Sequence, residues 1–140
     1  MDVVVLIARI LFAILFLFSG IGHVTRVSQM APYAAGKKVP LPAFSVIVSG
    51  LLFGLGALSV LLGVWGDLGA LFIAVTVFVT ALLMHNFWTL SDPMEKMTDQ
   101  IQFNKDVALA GGALAFFALY ATGMLDNSLT ITDGLFNLHF

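Results

Sequence analysis

The sequence predicts an all-α membrane protein: a four-transmembrane-helix bundle with a short interfacial segment after helix 1 and a C-terminal β-hairpin. Three observations carry this expectation. Four apolar stretches, 3–22, 42–64, 68–88 and 107–123, each approach the roughly 20 helical residues that cross about 30 Å of hydrocarbon. Sixty percent of the 140 residues are hydrophobic and only 10% are charged, more apolar surface than a soluble domain of this size can hide. Beyond residue 128 the pattern changes from helical spacing to strict alternation around Asp133-Gly134.

The first segment is dense in large residues from Ile10 to Phe18 and ends in Ser19-Gly20-Ile21-Gly22. It lacks the basic start and small-residue cleavage site of a signal peptide, so it reads as a retained helix. Arg9 lies inside it and is expected to snorkel outward or to pair with an acidic group of a partner. In the following stretch, HVTRVSQMAPYAAGKKVPLP, Pro32, Pro40 and Pro42 oppose a continuous helix. Val24, Val27, Met30 and Ala31 suggest a short helix lying on the membrane surface, with Arg26, Lys37 and Lys38 reaching headgroups.

Segments two and three form a helical hairpin turning at Gly63-Val64-Trp65-Gly66-Asp67, with Trp65 as an interfacial anchor. Gly50 and Gly54 make a GxxxG face, and Ala108, Gly111, Gly112 and Ala115 a similar small face on segment four; packing within one monomer is the favoured reading of both. Asp92, Pro93 and Glu95 read as N-cap, first and third positions of a short surface helix that feeds segment four. At the end, Leu129-Thr130-Ile131-Thr132, then Asp133-Gly134, then Phe136, Leu138 and Phe140 have the signature of a hairpin with a type I′ turn. The chain thus divides into a transmembrane domain, 1–123, and an extracytoplasmic tail, 124–140.

Composition limits the chemistry. There is no cysteine, so thiolate metal sites, cysteine-ligated iron–sulfur clusters and disulfides within this chain are excluded. A net charge of −2 gives no reason to expect a nucleic-acid partner. Arg26, Lys37, Lys38, Lys96 and Lys105 fall in the connections on one side, against Arg9 alone near the other, which predicts a cytoplasmic basic face and termini outside.

If the helices alternate in direction, the unusual polar residues converge at one mouth of the bundle. His23, Arg26, His85, Trp88, Lys105 and Asp106 are the candidate ligand-binding residues, because ionisable groups at membrane depth are costly unless paired or hydrated. Each has a plainer role too: Trp88 as an aromatic-belt anchor, Lys105 reaching headgroups, Asp106 capping or pairing, His85 bonded to a carboxylate or carbonyl. No HxxxH or ExxH pair occurs on a helix, so no metal site is expected. Haem is disfavoured, since His23 falls past the end of its helix. A quinone or lipid is the candidate ligand, with no covalently bound cofactor. The catalytic residues are not assigned.

These residues resemble the DoxX family over about residues 8 to 123. The likeness rests on ARILFAILFLFSGIGHVT, the loop AAGKKVPLP, the glycine-rich SGLLFGLGALSVLLGV, HNFW with Asp92-Pro93 behind it, and FNKDVALAGGAL. Two positions depart from the family pattern: Asp106 stands where Asn is usual after the lysine, and His23 stands where lysine is common. The resemblance implies a four-helix bacterial inner-membrane protein. Family members are linked to oxidoreductase assemblies, among them the membrane subunit of a thiosulfate–quinone oxidoreductase and a complex with superoxide dismutase and a sulfurtransferase; an animal branch assists receptor assembly. The expected function is therefore an accessory or anchoring subunit of a respiratory or redox complex, embedded in the bilayer with other membrane subunits or as an oligomer. An independent quinone-linked oxidoreductase and a small transporter or lipid-binding protein are the rival readings.

Overall fold

The computed structural model describes residues 2–125, 129–136 and 138. Its helices are α1 (Asp2–Thr25), α2 (Val27–Gly36), α3 (Pro42–Leu62), α4 (Gly66–Met84) and α5 (Pro93–Ala121), with a single 3-10 turn at Phe87–Thr89 before α5. Among the described residues three helices, not four, are long and apolar enough to cross a membrane: Val3–Thr25, Pro42–Leu62 and Gly66–Thr89. The expected fourth span fails for a physical reason. Its helix carries Glu95, Lys96, Asp99, Lys105 and Asp106 in its first half. The apolar remainder, 107–121, rises only about 22 Å, against about 30 Å of hydrocarbon. α5 is also one continuous helix of 29 residues, where the sequence suggested a short surface helix and a separate segment. Its start follows the expected capping: Asp92 Oδ1 accepts from the backbone N–H of Met94 at 3.0 Å and Glu95 at 2.9 Å, and Pro93 takes the first position.

The long helices pack in the order α1, α3, α4, α5, each against the next. Rings close the circle between α1 and α5, with Phe12 and Phe116 centred 5.0 Å apart. The core is built of Phe16, Phe53, Val60, Ile73, Val77 and many alanines, while Val3, Leu11, Phe18, Leu55 and Val75 face outward, as expected of helices solvated by lipid. α1 meets α3 through glycine. A Cβ on Gly20 would lie 2.7 Å from the Gly50 carbonyl and 2.8 Å from the Gly54 nitrogen, so backbone meets backbone there. The GxxxG face is thus spent inside the monomer, as the favoured reading had it. The small face of α5 is not: Ala108, Gly111, Gly112 and Ala115 are exposed.

α2 forms despite Pro32 and begins immediately after a kink at Arg26. A short helix is thus present after helix 1, where the sequence suggested one, with only Ala34 buried.

The expected hairpin is absent; no strand occurs among the described residues, and Phe140 lies outside them. Gly134 does not take a positive φ, so no type I′ turn forms. The tail donates instead to groups left over at helix ends. Ile131 and Thr132 N–H both reach the Gly63 carbonyl, at 3.1 and 3.0 Å, and Leu138 N–H reaches the Ala121 carbonyl at 2.8 Å. Phe136 N–H donates to Asp67 Oδ2 at 2.5 Å, and Asp67 is wholly buried at the start of α4. Orphan carbonyls and a buried carboxylate at the helix N-terminus outcompete cross-strand pairing. Gly134 matters here for close approach: its Cβ would sit 2.7 Å from the Tyr120 carbonyl and 3.0 Å from Asp67 Oδ2.

Arg9 also departs from expectation. It is completely buried and does not snorkel. Its Nε donates to the Val60 carbonyl at 2.9 Å, and its terminal nitrogens donate to Leu61 at 2.5 Å and Leu129 at 3.1 Å. The last turn of α3 is therefore capped by a side chain 51 residues away.

Candidate functional site

At the end of the bundle opposite Arg9, five charged or ionisable side chains form a chain. Lys37, just past α2, places Nζ 2.6 Å from Asp99 Oδ2. Asp99 Oδ1 lies 3.5 Å from His85 Nδ1, and His85 Nε2 lies 3.7 Å from Asp106 Oδ2. Asp106 Oδ1 is 3.8 Å from Lys105 Nζ, and Lys105 also donates to Gln102 Oε1. Local structure explains the convergence. α4 ends at Met84, so His85 sits at its C-cap, with its N–H still bonded to the Ala81 carbonyl. Asp99 and Asp106 are seven residues apart on α5, two turns along one face. The imidazole thus has a carboxylate facing each ring nitrogen.

The distances grade these contacts. The Lys37–Asp99 pair is a short charge-assisted bond. The two histidine contacts, at 3.5 and 3.7 Å, are loose ion-pair distances rather than tight hydrogen bonds. Burial raises the Asp99 carboxyl, but its bonds to Lys37 and then His85 outweigh that and hold it below the ordinary aspartate range. Burial pushes Asp106 the other way, above that range, and Lys105 and His85 only partly offset it. The two carboxylates are driven in opposite directions by their surroundings.

The linkage signs are opposite. A depressed Asp99 contributes stability that is complete above its unfolded value, near pH 4, and lost as pH falls through the lower folded value. A raised Asp106 favours the fold when neutral, and that contribution is lost as pH rises from the ordinary aspartate value through the raised one. Asp99→Asn should therefore flatten the acid limb of a pH–stability profile in detergent, and Asp106→Asn should raise stability at neutral pH relative to pH 4. Coincident profiles for wild type and both variants would contradict these assignments.

Two cavities open beside the chain. One, of about 490 Å³, is lined by Tyr33, Lys37, Lys38, Asn86, Thr89 and Leu90, with Pro32 and Gly36. The other, of about 390 Å³, lies against Lys37, Glu95, Thr98 and Asp99. Water or a ligand head in the second cavity reaches Asp99, the outer carboxylate; Asp106 is the more enclosed.

A protein-family model described as DoxX matches residues 4–86. The chain belongs to the DoxX family. It is also 33% identical over 122 residues to "Inner membrane protein YqjF" of Escherichia coli (strain K12), an alignment covering 87% of this chain and 85% of that protein. No solved structure gives a significant match. The DoxX match covers α1 to α4 and stops at Asn86, so His85 falls within it while Asp99, Lys105 and Asp106 lie beyond.

The DoxX fold brings together only part of the residue set expected from sequence. His85, Lys105 and Asp106 join one chain. His23 does not: its Nδ1 lies 2.8 Å from Ser49 Oγ on α3, and its ring stands edge-on to Phe53, centroids 5.6 Å apart. The two histidines are thus engaged with different helices. Arg26 is exposed and makes no ion pair with the chain among the described residues. Trp88 is half exposed and packs edge-on to Phe87 and Phe103, the stance of an interfacial anchor. Asp99 and Lys37 were missing from the expected set. The available signal was periodicity: Asp99 sits two turns before Asp106, on the same face. No group among the described residues has the arrangement to hold a metal ion.

Proposed function

We propose that this DoxX-family chain is a multi-pass bacterial inner-membrane subunit of a redox assembly, in which Asp99, His85 and Asp106 exchange protons with a quinone-class ligand at the mouth. The observation that carries the reading is His85 with a carboxylate at each ring nitrogen. An imidazole accepts a proton on one nitrogen and releases one from the other, so it links the outer, cavity-facing Asp99 to the enclosed Asp106. Quinone reduction consumes two protons and two electrons; a partner redox subunit supplies the electrons, and this chain handles the protons. The inner-membrane location is carried over from the Escherichia coli relative, whose name states it.

The deciding experiment is purification in mild detergent, followed by quinone mass analysis and identification of co-purified proteins. Near-stoichiometric quinone together with a stable redox partner is the expected result. Preparations holding neither, from membranes rich in quinone, would overturn the proposal.

The basic residues of this end support a cytoplasmic orientation for it by the positive-inside bias. Ser28 lies on α2, between the first two spans, and Trp65 in the turn between α3 and α4; both are exposed. Cysteines introduced there should label from opposite sides of the membrane with an impermeant reagent, Trp65→Cys from outside. Labelling from the same side would refute the orientation.

A further inference from the structure

The larger cavity carries a second assignment, separate from the proton chain. Lys37 and Lys38 line it, and no acidic residue does. Lys37 is held by Asp99, whereas Lys38 is exposed and makes no ion pair among the described residues. Lys38 also occupies a left-handed position, φ 61°, at the end of α2, where glycine is the easier residue. Its N–H bonds the Ala35 carbonyl, and Val39 N–H bonds the Ala34 carbonyl, so this turn closes the helix and points the chain along the cavity wall. In the same lining, Asn86 Oδ1 is buried with no hydrogen-bond donor among the described residues. A buried acceptor without a partner is costly, and a ligand donor would satisfy it.

The depth is that of lipid headgroups. α4 has 19 residues, which rise about 28 Å. Exposed Trp65 and Trp88 bracket it, as interfacial anchors do. The cavity takes in Asn86, Thr89 and Leu90, on either side of Trp88.

We propose that this cavity binds the phosphate diester of an anionic, hydroxylated lipid headgroup of the phosphatidylglycerol type. Lys38 faces the phosphate, with Lys37, held by Asp99, beside it, and Asn86 Oδ1 accepts from a headgroup hydroxyl. The lining disfavours zwitterionic lipids, because Lys38 offers its ammonium group and no acidic residue of the lining meets an incoming choline or ethanolamine.

Trp88 reports on the site. In a Trp65→Phe background in neutral detergent, its fluorescence is titrated with dioctanoyl phosphatidylglycerol, dioctanoyl phosphatidylcholine, dioctanoyl phosphatidic acid and inorganic phosphate. The glycerol lipid should saturate tightest, and Lys38→Gln should weaken it about fivefold, the effect of one basic residue near an anionic lipid surface. Asn86→Leu should erase the preference for phosphatidylglycerol over phosphatidic acid, which lacks the glycerol hydroxyls. Equal binding of phosphatidylglycerol and phosphatidylcholine would overturn the proposal, as would indifference to Lys38→Gln. Saturation by inorganic phosphate at the same concentrations would show a soluble-anion site and refute the lipid assignment. Lys38 is exposed, so its substitution leaves the fold intact, and the readout is independent of His85 and of any quinone.

Discussion

Arg9→Met is expected to cost on the order of 3 kcal/mol of folding stability, because hydrogen bonds to a charged group contribute about 1.5–3 kcal/mol each. The cause is the end of α3. The last carbonyls of any helix have no partner within it. Here the Ser59 carbonyl is taken by Val64 N–H, the Val60 carbonyl by Arg9 Nε and the Tyr120 hydroxyl, and the Leu61 carbonyl by Arg9. A guanidinium at a helix C-terminus also complements the macrodipole. Methionine fills similar volume but donates nothing, so the Leu61 carbonyl loses its donor, at about 1–3 kcal/mol, and the Val60 carbonyl keeps only Tyr120. The same change releases the Leu129 carbonyl and loosens the tail. Equilibrium unfolding in mixed micelles measures the loss, with Arg26→Met as the comparison. Arg26 is exposed, and its substitution should stay within about 0.5 kcal/mol of wild type. If the two variants unfold alike, Arg9 is not what holds this end together.

The second large effect is on function. On the proposed function, His85→Gln should slow quinone reduction about 100-fold, the lower range for removing a positioned acid–base group. Glutamine keeps hydrogen-bonding capacity and size but cannot carry a proton from Asp99 to Asp106. The rate is read in membrane vesicles from cells whose only copy is the variant, with protein amount checked by immunoblot. Lys96→Gln, an exposed change on the same helix as both carboxylates, should leave the rate unaltered. Added imidazole should restore part of the lost rate if the defect is proton transfer and not assembly. Wild-type rates in His85→Gln vesicles would remove the proton chain from the mechanism.

The two ends of the bundle differ in how they arise. At the Arg9 end the polar contacts are short and buried, which suits a fixed structural cap. At the His85 end the two histidine contacts are looser, though Lys37–Asp99 is short, and Asp99 lines a cavity, which suits groups that change protonation. A Coulomb contact of 3.5–3.7 Å tolerates small movements that a directional bond does not.

Much of this protein was legible in one dimension. Hydropathy over windows of about 20 residues located the three spans, because lipid demands long apolar helices wherever a chain crosses it. Asp92-Pro93-x-Glu95 marked the start of α5, because capping depends on neighbours within one turn. His85 and Asp106 stood out as polar groups at the edges of apolar runs. The tertiary structure decided the rest. Apolar length alone counted 107–123 as a span, but the helix containing it is charged through its first half and leans on α4. Alternation in the tail looked like strands, yet the carbonyls of Gly63 and Ala121 and the carboxylate of Asp67, all distant in sequence, claimed its N–H groups. Arg9 was placed at the surface because nothing near it in sequence could pair with it; its acceptors are the end of α3. Asp99 was passed over because the lysine that holds it is 62 residues away. Local pattern reports which residues must leave water, whereas which polar groups meet once they have left is settled only by how the helices pack.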